Sequence, residues 1–283
     1  AHLPIIIEII AQNLYFVNGG AYFMLQKRIN LFGLLVDDVD LSGAILLAKS
    51  SLGEGKSRAF FTPNLEMLSG ACRSEGILKI LKSADVSLPD GFGLRLVAKL
   101  LGVPLSNTVA GIDFGEGLLS IAASGGFGVF LLGGREGVAE RAAKALASKY
   151  QNLRICGVHH GYFSDDEAPL VCEKINASGA RILIVCRGFP RQEKFVADYR
   201  NVLPCVKVFA CLGGSLDVWA GDICRAPEII RKARLEWLWR IILEPERLSR
   251  FIISLDVIFN ALGVFLKRIT AFGGINARGG EYN

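Results

Sequence analysis

Leu131-Leu132-Gly133-Gly134-Arg135-Glu136-Gly137-Val138-Ala139 runs from an apolar segment through a glycine turn into a stretch of helical character. A strand that passes through a short glycine loop into a helix is one βα unit, and the pattern repeats on both sides of it. Apolar runs at residues 59–62, 86–88, 128–132, 154–158, 182–186 and 206–212 read as strands. Amphipathic stretches at 64–73, 93–100, 137–150, 166–177 and 192–200 read as helices. The alternation predicts an α/β, Rossmann-like fold with a mainly parallel sheet flanked by helices. In such sheets ligands sit beyond the carboxyl ends of the strands, so the polar loops there are the place to seek chemistry.

The 283 residues suffice for one large α/β domain with an appendage, or for two modest domains. Hydrophobic residues make up 51% and charged residues 21%, with a mean hydropathy of +0.39, so part of the apolar surface is expected to face something other than water. The formal charge of +5 is far below that of a dedicated nucleic-acid binder; an anionic ligand or membrane fits and nucleic acid does not. The seven cysteines include no Cys-x-x-Cys pair and several lie in apolar runs, which reads as buried reduced thiols with no metal site.

Residues 1–26 form an uncertain lead segment. They carry Glu8 within an apolar run, a poor signal peptide, and Gln12-Asn13-Leu14-Tyr15-Phe16 resembles an expression-tag linker. Residues 27–226 read as the α/β domain. From 227 to 270 the composition changes: Arg231, Lys232, Arg234, Arg240, Arg247, Arg250, Lys267 and Arg268 are interleaved with Trp237, Trp239, Phe251 and Phe259. Such a helical appendage suits an anionic bilayer surface, with packing in a homo-oligomer as the alternative. Its longest apolar run, 251–266, spans 16 residues and contains Asp256 and Asn260, short and polar for a membrane-spanning helix. The Gly-rich end, 271–283, reads as a disordered tail.

The strand-end loops carry the polar groups. In Thr62-Pro63-Asn64, Thr62 or Asn64 would cap the following helix. Leu88-Pro89-Asp90-Gly91 sets a carboxylate at a strand tip, as a turn residue or as a general base on a rigid scaffold. Gly133 and Gly134 allow backbone N–H groups to approach a phosphate, but the spacing departs from the Gly-x-Gly-x-x-Gly dinucleotide fingerprint. His159 and His160, adjacent at a strand end, diverge, which suits structure better than shared metal ligation. Gly188-Phe189-Pro190-Arg191-Gln192-Glu193 and Gly213-Gly214-Ser215-Leu216-Asp217 each follow a strand and open a helix. Gly53-Glu54-Gly55-Lys56-Ser57 imitates the end of a phosphate-binding loop, but Ser50 stands where glycine is needed and a strand follows.

Taken together, Thr62-Pro63-Asn64, Pro89-Asp90-Gly91, Val109-Ala110-Gly111-Ile112-Asp113, His160-Gly161-Tyr162-Phe163, Pro190-Arg191-Gln192-Glu193, Gly213-Gly214-Ser215-Leu216-Asp217, Arg225-Ala226-Pro227 and Leu235-Glu236-Trp237-Leu238-Trp239-Arg240 resemble the WecG/TagA/CpsF glycosyltransferase family over roughly residues 27–250. The resemblance implies inverting transfer from a UDP-sugar, typically UDP-N-acetylmannosamine or its uronic acid, to an undecaprenyl-diphosphate-linked N-acetylglucosamine or a related polyprenyl-linked acceptor. It implies no metal or other cofactor, and a peripheral place on the cytoplasmic face of a bacterial membrane, in teichoic acid, exopolysaccharide or other cell-wall polymer synthesis. By position, Asp90 matches the family's proposed base, Thr62 and Asn64 the neighbouring polar contacts, and Gln192 a donor or acceptor contact. Tyr162 and Asp217 fall where the uridine end is held, with Gly133 and Gly134 at the adjoining turn and Arg191 at a helix start. Arg240, Arg247 and Arg250 fall where the appendage reaches the diphosphate. Where the family commonly has Leu-Gly-Ser or Leu-Gly-Ala, this chain has Arg187-Gly188-Phe189, and Arg187 as an added cation would suit a glucuronic acid donor instead.

Inverting transfer needs a base for the acceptor hydroxyl and a means of stabilising the departing diphosphate. No Asp-x-Asp metal motif is expected in the chain, so the second task falls to arginines and helix N-termini. Arg240 and Arg247, seven apart, are expected on nearly one helical face, subject to Pro245 between them. A nucleotide-dependent dehydrogenase and a catalytically silent membrane-associated binding protein are the competing classes; the broken glycine fingerprint argues against the first.

Overall fold

In a sheet covered on both faces the strands are near-continuous apolar runs, and residues 59–61, 128–133, 182–186 and 208–211 are such runs, while 154–159, which begins with Arg154 and ends with His159, is only partly buried. The structure is a computed structural model describing residues 10–13, 26–103, 105–232 and 235–276. An antiparallel sheet comes first: β1 (Ile10–Asn13), β2 (Gln26–Leu31) and β3 (Leu34–Asp37). β2 and β3 are joined through Phe32 and Gly33, whose φ values of 51° and 93° give the two-residue turn that matches hairpin twist. There follow α1 (Leu41–Glu54), β4 (Arg58–Phe61), α2 (Leu65–Arg73), α3 (Glu75–Leu81), β5 (Val86–Ser87), α4 (Phe92–Leu100) and α5 (Gly111–Gly125). The second half contributes β6 (Gly128–Gly133), α6 (Val138–Lys149), β7 (Arg154–His159), α7 (Ala168–Ser178), β8 (Ile182–Cys186), α8 (Arg191–Tyr199), β9 (Val208–Cys211) and α9 (Ser215–Trp219). The predicted strands and helices all appear within a few residues of their expected bounds; the hairpin, α1, α3, α5 and α9 are additional.

The larger sheet is parallel, in the order β5-β4-β9-β8-β6-β7. Its side chains alternate between two cores. Phe61, Leu132, Val185 and Phe209 face one, under α2, α4, α7 and α8, while Phe60, Leu131, Ile184 and Ala210 face the other, under α1, α5, α6 and α9. β4 therefore sends α2 to one face and its neighbour β9 sends α9 to the opposite face. The loops leaving these adjacent strands part, and a crevice opens between them. Gly55, at φ 73°, closes α1 before β4, so the phosphate-loop mimic is a helix end.

The appendage comprises α10 (Glu228–Lys232), α11 (Glu236–Leu243) and α12 (Arg247–Asn276). The expectation that Arg240 and Arg247 share one helical face is corrected: the helix breaks at Glu244-Pro245, leaving Arg240 near the end of α11 and Arg247 at the start of α12. α12 lies against α2 and α4. Its Ser254, Val257 and Ala261 are buried, and Asp256 accepts from Ser69 Oγ at 2.9 Å and Arg73 Nε at 3.0 Å, so the polar residue that argues against a membrane span docks on the domain. By length and composition alone, Arg247–Thr270 is long and apolar enough to cross a membrane. α12 continues to Asn276, past position 271 where the composition changes; residues 277–283, Arg234, 1–9 and 14–25 lie outside the described residues.

All seven cysteines are free. Cys172, Cys186 and Cys211 are buried, but Cys72, Cys205 and Cys224 are exposed, which corrects the expectation of uniformly buried thiols: they occupy outward positions on α2 and in two loops.

Candidate active site

The crevice holds a cavity of about 420 Å³. Among the predicted site residues, Thr62, Asn64, Asp90, Gln192, Arg240, Arg247 and Arg250 line it. Asp90 sits where two loops are pinned together, its own N–H donating to Pro63 O at 2.8 Å and Val109 N–H donating to Pro89 O at 2.9 Å. Gly91 at φ 82° then turns the chain into α4, a conformation that a side chain would strain. The Asp90 carboxylate accepts from the Gly111 N–H at the start of α5, 3.3 Å away. Burial pushes its carboxyl up to about 6; the Arg240 charge and the Gly111 N–H oppose the rise, while Glu236 and Asp113 add to it.

The flanking polar groups have their roles narrowed by local bonds. Thr62 Oγ1 donates to Cys211 O at 3.0 Å, leaving its lone pairs for a ligand's donor. Asn64 Oδ1 accepts from Met67 N–H at 3.0 Å and caps α2, as the sequence allows, so its amide nitrogen is the end left for a ligand. Gln192 is held at both ends: Oε1 accepts from Gly213 N–H at 3.1 Å and Nε2 donates to Glu193 Oε1 at 2.7 Å.

Charge in the cavity is ordered by arginines. Arg250 lies 3.5 Å from Glu66, and Arg247 Nε donates to Glu244 at 2.8 Å. Arg225, quoted in the sequence only as part of a motif, bridges Asp113 at 2.5 Å and Glu236 at 3.7 Å, tying the start of α5 to α11. Among the described residues Arg240 makes no ion pair, and its charge is felt at Asp90.

Gly133, Gly134, Tyr162, Arg187, Arg191 and Asp217 do not line this cavity. They lie at the end of β6, in the loops after β6, β7 and β8, at the start of α8 and on α9, along the same carboxyl edge of the sheet. A Cβ on Gly133 would come 2.2 Å from Cys186 O, so this glycine is required by close approach of β6 to β8. Gly134 N–H donates to Cys186 O at 3.1 Å, and Gly161 N–H to Gly134 O at 2.8 Å, which draws the loop carrying Tyr162 beside this turn. Tyr162 is exposed, with the Arg191 guanidinium 5.7 Å from its ring centre. Arg187 donates to Gly161 O and Phe163 O, both at 2.9 Å, and stacks 3.6 Å over Phe163, so its fork organises the loop. Asp217 has its carboxyl raised by burial, opposed by Arg135.

The absence of an Asp-x-Asp motif also needs correction at chain level. Asp38-Val39-Asp40 has that spacing, but Asp38 Oδ1 accepts from Ser106 N–H at 3.0 Å and Asn107 N–H at 2.9 Å, and Asp40 Oδ1 caps α1 through Gly43 N–H at 2.7 Å. Neither lines the cavity.

A carboxylate at a strand tip, faced across a crevice by arginines at the carboxyl edge of a parallel sheet, is an arrangement suited to group transfer on an anionic substrate. The profile of the glycosyl transferase WecG/TagA/CpsF family matches residues 29–271, and the chain belongs to that family. It is similar to the N-acetylglucosaminyldiphosphoundecaprenol N-acetyl-beta-D-mannosaminyltransferase of Bacillus subtilis (strain 168), 34% identical over 191 residues, covering 68% of this chain and 73% of that protein. The similarly named protein of Bacillus spizizenii (strain ATCC 23059 / NRRL B-14472 / W23) is 34% identical over 206 residues, covering 73% of this chain and 79% of that protein. The chain is a glycosyltransferase.

Proposed function

We propose that this glycosyltransferase moves N-acetylmannosamine, or a related sugar or uronic acid, from a UDP-sugar to undecaprenyl-diphosphate-linked N-acetylglucosamine, with inversion and without a metal. The observation that carries the reading is Asp90 at the tip of β5, facing the Arg240 charge in the cavity. An acceptor hydroxyl entering the cavity gives its proton to Asp90 as its oxygen bonds to the donor's anomeric carbon. The bond from that carbon to the UDP oxygen breaks, and the electron pair leaves with UDP. Arg240, Arg247 and Arg250 offset the diphosphate charge in place of a cation. Gly133, Gly134, Tyr162 and Asp217, beside the cavity, are assigned to the nucleotide end.

The appendage is assigned to the cytoplasmic membrane surface. Because one side of α12 packs on the domain along its length, the helix lies in the interface and brings the cavity to a lipid-linked acceptor. The function is tested by assaying a panel of UDP-sugars against a short-lipid diphosphate N-acetylglucosamine acceptor, with ligand thermal shift alongside. Transfer from UDP-N-acetylmannosamine and stabilisation by UDP are expected. Stabilisation by NAD and not by UDP, with no transfer from any donor, overturns the reading.

A further inference from the structure

Glu193 follows Gln192 at the start of α8, is fully buried, and takes no part in the steps above. Its Oε1 meets Gln192 Nε2; its Oε2 has no partner among the described residues. It also faces β9, where its charge helps to raise the buried Cys211 thiol. A buried carboxylate with an unmatched oxygen is costly, and an apolar side chain of the same length would fill this part of the core at less cost. Something must offset that.

The offset lies in what Glu193 does to its neighbour. A glutamine amide turned end over end has nearly the same shape, so packing alone does not decide whether its oxygen or its nitrogen meets a given partner. Here the two partners do. The Gly213 N–H needs an acceptor and finds Oε1, while Glu193 needs a donor and finds Nε2. In the flipped amide, donor would face donor at Gly213 and acceptor would face acceptor at Glu193. The second Nε2 hydrogen is then left for a ligand in the cavity that Gln192 lines. We propose that Glu193 is a positioning residue that locks the Gln192 amide as a hydrogen-bond donor to an oxygen of the bound substrate.

This inference rests on Gln192 being a substrate contact. Burial pushes the Glu193 carboxyl up to about 7, so near neutrality it is shared between its two forms. Each form retains an oxygen able to accept from Nε2; the neutral form also carries a donor, but a flipped amide would still set Nε2 against the Gly213 N–H, so the role calls for an acceptor and not for a charge.

The test is a double-mutant cycle on the full chain, reading kcat/KM with the donor and acceptor of the proposed reaction and melting temperature in parallel. Gln192→Ala is expected to lower kcat/KM on the order of 10²-fold, as for loss of one aimed donor. Glu193→Met, which removes the acceptor, is expected to lower it about tenfold or more, and Glu193→Gln, which keeps one, to stay within about threefold. In the Gln192→Ala background Glu193→Met is expected to cost nothing further, a result that a merely structural role does not give. Should Glu193→Met not fold, Glu193→Asp, which withdraws the carboxylate by one methylene, carries the same expectation. Additive losses, or a folded Glu193→Met with normal turnover, overturn the positioning role alone. Normal turnover in Gln192→Ala overturns the reading of Gln192 and this inference with it.

Discussion

The backbone N–H of Gly111 donates to Asp90 Oδ2 at 3.3 Å, so the first residue of α5 reaches across to the loop that follows β5. One amide and one guanidinium charge stand against burial and two further carboxylates, and the balance leaves Asp90 a carboxyl of about 6. A base must be ionised at working pH and still basic enough to take a proton, and this value meets both demands near neutrality.

Asp90→Asn is expected to lower turnover about 10²-fold or more with UDP affinity unchanged. Its stability should move the other way. Between the ordinary 3.8 and about 6 the folded chain binds the Asp90 proton more tightly than the unfolded chain, so stability falls as pH rises through this window. The variant lacks that loss and should melt at the same temperature or higher at pH 7. Steady-state kinetics with thermal melts read both arms, and near-normal turnover would remove Asp90 from the base role.

The same balance sets a pH profile. Wild-type kcat/KM is expected to fall as pH drops below about 6, when Asp90 takes up a proton. Arg240→Gln deletes the charge that opposes this protonation, so the acidic limb should shift to higher pH. Arg247→Gln should weaken substrate binding and leave the limb in place. An unmoved limb in Arg240→Gln would separate Arg240 from Asp90.

The βα order and the loops that carry Thr62, Asp90 and Gln192 were legible because they depend on local pattern. What was not legible depends on tertiary contact. α5 carries Gly111, Gly115, Gly117 and Gly125, a composition that argues against a helix. The reason for two of them lies elsewhere in the chain: a Cβ on Gly115 would come 2.7 Å from Leu212 and 2.8 Å from Trp219, and one on Gly117 would come 2.2 Å from Ile45. Arg225 could be quoted as part of a motif, but its partner Asp113 is 112 positions away. Glu193 could be quoted only as the end of a motif, and the packing of α8 reveals it as buried.

Metal dependence separates two ways of stabilising a leaving diphosphate. In the proposed reaction the task falls to arginines, and the cavity carboxylates Glu66, Asp113 and Glu236 already lie beside Arg250 or Arg225. Activity is therefore expected to persist in EDTA and to fall in Arg240, Arg247 or Arg250 variants. Loss on chelation with recovery on adding Mg²⁺ or Mn²⁺ would assign the charge to a cation instead.

The appendage prediction follows from the two sides of α12. Ser254, Val257 and Ala261 form a buried stripe against the domain, while Leu248, Ile252, Phe259 and Leu266, spaced by four, seven and seven residues, form an exposed one. An apolar stripe on a helix already docked along its other side, with the exposed Lys267 beside it, is arranged to lie in a bilayer interface, where a basic residue adds about 1 kcal/mol on an anionic surface. Replacing Ile252, Phe259 and Leu266 together with Gln touches none of the buried stripe. The full-length variant should melt normally, bind UDP and turn over a short-lipid acceptor, yet fail to pellet with anionic liposomes. If it pellets as before, the stripe is not the anchor. If it changes its sedimentation state and its liposome binding does not move, the stripe is an interface between copies of the chain.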